Sequence, residues 1–177
     1  GRAVAIVTDE AFHEMSFIGG DLVMRVRRVG NTPAPLGANA IIESDGQLLY
    51  AVDGGVMQFA GGRLQQLPCP IAKSVFDDMD LTNRRAVQAG RNAEFNEWTF
   101  SYPTTDAAGA NDKCLVWHAS EAPAGMVWST NTLALSGWTD RTVGSNPLSV
   151  HPTTGAIYEH ETGTSAAGQP IVASLTT

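Results

Sequence analysis

Cysteine is scarce in this chain: Cys69 and Cys114 are the only two in 177 residues. One pair cannot build the disulfide framework of a small secreted scaffold. Cys69 stands between Pro68 and Pro70, and Cys114 lies in an apolar stretch. Both are expected to be small, reduced core side chains. Charge is scarce too. Lys, Arg, Asp and Glu make up 16%, below the usual quarter, which argues against long charge-laced helices and disordered acidic tails. Basic charge is the shortest supply, with 11 Lys and Arg against 18 Asp and Glu and a net charge of −7. Nucleic acid is gripped by clustered Lys and Arg, so no gripping surface is expected. An acidic wall instead repels phosphate and lets DNA slide past. No apolar run reaches the ~18–20 residues of a membrane span. There is no Asn-X-Ser/Thr sequon, and Gly1-Arg2-Ala3-Val4 lacks the layout of a signal peptide. Those four residues read as the inside of a strand, so a processed chain or a portion of a longer one is expected.

Glycine and proline are plentiful, 18 and 9, and scattered rather than clustered, as where short strands meet many tight turns. Between Ala40 and Leu67 the apolar segments Ala40–Glu43, Gln47–Val52, Val56–Ala60 and Arg63–Leu67 are separated by Asp45-Gly46, Asp53-Gly54-Gly55 and Gly61-Gly62. Such turns tolerate positive φ, so this stretch predicts four short antiparallel strands in a meander, the layout of one propeller blade. A second set follows. Trp98, Phe100 and Tyr102 alternate with Glu97, Thr99 and Ser101. Lys113–His118 is apolar on both faces and reads as a central, covered strand. Gly125–Thr130 and Leu133–Trp138 complete the group. Gly46 to Gly54, with Tyr50 between, is echoed by Gly155 to Gly163 around Tyr158, a weak internal repeat. Helix is expected over Pro70–Met79, where Ile71, Val75 and Phe76 keep helical spacing. A further turn at Thr82–Arg85 would be capped by Asp80 or Thr82. The fold class is therefore all-β: antiparallel meander blades of β-propeller type with one helical excursion. Residues 1–177 form a single propeller-like domain or part of one.

The polar constellations give little chemistry. Glu159 and Glu161 would face one way along a strand and His160 the other, so with His151 nearby they still close on no single metal ion. Asp77, Asp78 and Asp80 lack the spacing of a calcium loop and read as a solvated helix end. No P-loop, Gly-X-Gly-X-X-Gly, Cys-X-X-Cys or Gly-X-Ser-X-Gly is present. No catalytic, cofactor-binding or metal-binding residue is expected, and no cofactor. Trp98 and Trp117 are expected in the core. Trp128 and Trp138 leave open a sugar-stacking face.

Longer strings carry a resemblance. Leu36–Ala40, Gln65–Pro70, Val75–Asp78, Ala89–Glu97, Asn111-Asp112, Gly137–Arg141 and Tyr158–Glu161 together resemble a family of tail structural proteins of short-tailed bacteriophages, related to nozzle or DNA-stabilisation proteins. The likeness spans roughly residues 36 to 172. It implies a non-catalytic β-propeller protein of the virion tail, assembled in the bacterial host cytoplasm. It further implies a ring, usually of six copies, contacting neighbouring tail, adaptor or portal proteins and passing the genome through its lumen. Thr99 stands where such proteins are expected to carry another aromatic. The reading that stays beside it is a carbohydrate-binding propeller module used in host adsorption, which would need Trp128 and Trp138 exposed on one concave face.

Overall fold

A computed structural model describes residues 3–20, 23–120, 127–141, 145–163, 165–166 and 169–170. It is 49% strand and 9% helix, about twice the strand content of an average globular domain. The first three strands, β1 (Ala3–Val7), β2 (Ala11–Phe17) and β3 (Met24–Asn31), form an antiparallel sheet in that order. A bulge between Phe12 and His13 leaves Val29 as the extra residue of β3.

The Gly-punctuated stretch folds as read. β4 (Ile41–Ser44), β5 (Gln47–Val52), β6 (Gly55–Ala60) and β7 (Arg63–Gln66) pair in chain order. The β4–β5 turn holds Asp45 at φ 53° and Gly46 at φ 73°. Two consecutive positive φ angles match the right-handed twist of the flanking strands, which is why Asp-Gly occupies this turn. The echo of that segment lands on an equivalent place: Gly155, at φ 69°, turns the chain ahead of the strand that carries Tyr158.

The helical excursion is shorter than the pattern predicts. α1 covers Ala72–Asp78, and a 3-10 segment spans Leu81–Ala86. Asp80 caps the latter by accepting from the Thr82 N–H at 2.9 Å. A second meander follows, with β8 (Gln88–Asn92), β9 (Glu97–Tyr102), β10 (Lys113–His118) and β11 (Trp128–Asn131) paired in order. Counting from the first meander, the third sheet joins β12 (Gly137–Thr139), β13 (Leu148–Val150) and β14 (Ile157–Glu159). A two-stranded ribbon, β15 (Ser165–Ala166) and β16 (Gln169–Pro170), comes last. The segment Leu133–Ser136 is loop rather than strand, because Leu135 turns in to bury against Cys114 and Val116.

Alternation along the strands stacks these sheets face to face in chain order. Leu48, Tyr50, Val52 and Met57 of the first meander meet Phe12 of the β1–β3 sheet. The opposite face of that meander, with Leu49, Ala51 and Val56, packs on Trp98, Phe100, Leu115 and Trp117. The far face of the second meander, with Cys114 and Val116, receives Trp138 of the third sheet. The first strands of the three later sheets run side by side, with β8 between β4 and β12.

Polar side chains lock the seams. Arg91 reaches back from β8 to the Ser44 hydroxyl and to the Asp45 carboxylate at 2.5 Å, and its guanidinium lies 4.8 Å over the Trp98 ring. At the next seam Trp138 lies directly on Gly90, where a Cβ would come within 2.8 Å of the indole. Its N–H donates to the Arg91 carbonyl at 2.6 Å.

Candidate assembly faces

The β1–β3 sheet is buried at only one end. Phe12 is fully buried, with Val7 and Val29 packed around it, but the strands continue past that anchor into solvent. Val4, Met15 and Val26 pair across the sheet, as do Phe17 with Met24 and Ile6 with His13. Paired residues point to the same face, so one face presents Val4, Ile6, Met15, Phe17, Met24 and Val26. Phe17 is 67% exposed and Val26 56%. The other face is polar, with Glu14 paired to Arg27 at 2.8 Å, and with Ser16 and Arg25. Alternation of this kind normally turns the apolar side to a core. Here no described residue covers it, and a contiguous exposed apolar patch of this kind marks an interaction surface.

The opposite end of the stack is the outer face of the third sheet. Trp138 points to the second meander, so its alternating neighbours point away. The register sets Val150 beside Ile157 and Leu148 beside Glu159 on that outer face. Ile157 is 71% exposed, while Leu148 and Val150 are half-buried.

The residues singled out by sequence go to separate tasks. Glu159 accepts from Asn146 at 3.0 Å, His160 meets the Ser149 hydroxyl at 2.6 Å, and Glu161 holds Arg141 at 2.9 Å and Asn92. The strand ends at Glu159, and Glu161 has φ 62°. The strict alternation expected for Glu159–Glu161 therefore stops at Glu159. His151 instead caps its own turn, accepting from the Thr153 and Thr154 N–H groups. Asp77 pairs with Lys73, Asp78 with Lys113 at 2.7 Å, and Asp80 with the 3-10 segment. Among the described residues no three His, Cys, Asp or Glu side chains converge on a metal-sized site.

Trp98, Phe100, Leu115 and Trp117 are buried as the pattern predicts. Trp128 pairs with Trp117, stacks on it at 6.0 Å, and donates its N–H to the Pro68 carbonyl at 2.8 Å. Trp128 and Trp138 thus lie on opposite faces of the second meander, so they line no common concave face. Both cysteines are free, and Cys114 is fully buried. Burial pushes the Cys114 thiol up to about 12, and it pushes the Tyr102 phenol, with nearby Asp78, also to about 12.

Sequence reasoning missed one constellation. Glu97, His118 and Ser129 stand on three adjacent strands, with Nδ1 of His118 at 3.0 Å from Glu97 and Nε2 at 2.7 Å from the Ser129 hydroxyl. The order resembles a nucleophile, base and orienting acid, and only strand register could have revealed it. The His–Ser half recurs as His160 with Ser149 in the third sheet. Both contacts tie neighbouring segments together. The loop Thr104–Asp112 is closed on itself: Asp112 accepts from the Thr104 N–H and hydroxyl, both at 2.8 Å. Most of Ala119–Gly125 lies outside the described residues.

The chain matches no family model and no curated protein. Among the described residues no helix is long and apolar enough to cross a membrane.

Proposed function

We propose that this protein is a structural subunit of a bacteriophage tail. In this reading it forms part of the ring-shaped conduit below the portal that retains the genome and later passes it. The observation that carries the proposal is the uncovered apolar face of the β1–β3 sheet, because a chain that builds such a face needs a protein to cover it. Two further features support it. Successive sheets stack face to face with their first strands adjacent, an arrangement that suits blades of propeller type. A body of net charge −7 offers passing DNA few phosphate contacts. Partners on this reading are other copies of the chain, six in a ring, with neighbouring tail, adaptor or portal proteins. Its place is the virion, after assembly in the host cytoplasm.

Electron microscopy of the native particle tests the proposal. The chain should trace into a closed symmetric ring on the genome's exit path. Particles that lack the chain, or that carry it on the capsid surface, would overturn the reading.

A further inference from the structure

We infer that Ser129 is an activated nucleophile and that the β11 edge carries an esterase site, with His118 as general base and Glu97 as the residue that positions it. The inference goes beyond the assembly reading above and does not depend on it.

The strand ladder brings the three side chains into line. Trp98, Trp117 and Trp128 share the core side of the second meander, so by alternation Glu97, His118 and Ser129 share its other face. Glu97 lies directly across from His118, with its carboxylate 3.0 Å from Nδ1. A carboxylate only accepts, so Nδ1 carries the proton and the Nε2 lone pair faces the Ser129 hydroxyl at 2.7 Å. A base that takes a serine proton needs that tautomer. The His118 and Glu97 side chains are 24% and 30% exposed, and Ser129 is half-buried, so a solute reaches them. The similar pair in the third sheet is sealed: Ser149 is 1% exposed.

The backbone beside Ser129 adds a second element. β11 is the edge strand of its sheet. The His118 N–H donates to the Val127 carbonyl at 3.0 Å, which sets the phase of the β10–β11 ladder. Hydrogen-bonded pairs alternate along such a ladder. Ser129 with Val116 is therefore the next bonded pair, and the Thr130 N–H between bonded positions points off the open edge. A backbone donor adjoining the nucleophile is placed to hold a developing oxyanion.

The chemistry balances without an added reagent. Ser129 Oγ attacks the carbonyl carbon of an ester while its proton passes to Nε2 of His118. The bond from that carbon to the alcohol oxygen breaks, and the proton leaves with the alcohol. Water, deprotonated by the same nitrogen, then attacks the acyl-serine, and the carboxylic acid departs as Ser129 regains its proton. Val127 is 38% exposed and lies two residues from Ser129 on the same face. It offers apolar contact to a short acyl chain, so the substrate class is small carboxylic esters.

Incubating the full chain with a fluorophosphonate tests the inference, since that reagent captures an activated serine. Intact-mass and peptide mapping should find one adduct, on Ser129, and none in Ser129→Ala. Hydrolysis of p-nitrophenyl acetate should fall about 10²–10⁴-fold in His118→Gln. Glu97→Gln should lower kcat with KM unchanged, and Glu97→Asp should recover part of the loss. Circular dichroism checks that each variant folds, and the wild-type adduct decides the matter even where one does not. A wild type that takes no adduct overturns the inference, as does an adduct on another residue. Labelling undiminished in folded His118→Gln overturns it too, and turnover unchanged by Glu97→Gln overturns the positioning role.

Discussion

At the scale of single residues the core is organised by a few large side chains that each serve two neighbours. Trp98 is 1% exposed. It faces Trp117 on the adjacent strand at 6.5 Å and lies under the Arg91 guanidinium. Trp98→Ala should therefore cost about 3–5 kcal/mol, the range for emptying a large aromatic site. Arg91 would lose its stacking partner at the same time. Equilibrium denaturation measures this directly, and a loss below about 1 kcal/mol would contradict the burial. Such residues were legible from sequence because alternation at Glu97–Tyr102 assigns the face without any knowledge of the partner sheet. Arg91 was not legible. Its role depends on Ser44 and Asp45, more than 40 residues earlier, and nothing local to β8 marks an arginine as buried.

At the scale of elements, turn chemistry decided what could be foreseen. The first meander was readable because its glycines sit at obligatory positive φ, as at Gly46. The β1–β3 sheet was not read as a sheet, although Gly19-Gly20 marks its second turn with φ 74° and 71°, because its third strand carries three arginines. The third sheet is held to the second meander by Trp138, and Trp138 is in turn braced by His160 at 4.9 Å. Burial holds the His160 imidazole below its ordinary value, with Glu161 opposing the shift. A depressed histidine favours the neutral form in the folded state. The stability it supports is therefore intact above the ordinary value of 6.5 and falls as the pH drops below it. Thermal melts between pH 7.5 and 5 should show the wild type losing more stability on acidification than His160→Gln. Equal losses in the two proteins would show that the imidazole carries no such linkage.

At the scale of the whole molecule the charge is unevenly spread. Three of the arginines cluster on β3, while acidic side chains predominate over the later sheets. Duplex DNA should accordingly bind more weakly than micromolar at physiological salt, because few phosphates can be neutralised and few counterions released. Fluorescence anisotropy with a labelled duplex provides the measurement, and tighter, steeply salt-dependent binding would contradict an inert lumen wall. All-β character could be foreseen from composition and turn spacing. The order in which the sheets stack could not, because a strand's pattern states that a face is covered and never by what.

The single-file stacking of sheets has a mechanical consequence. Pressure applied across the stack presses close-packed side chains against one another, and such interiors have low compressibility. Tension on the chain would instead open hairpins one backbone bond after another, beginning at the short strands of the last sheet. The molecule is thus stiff when pressed across its sheets and weak when its chain is pulled.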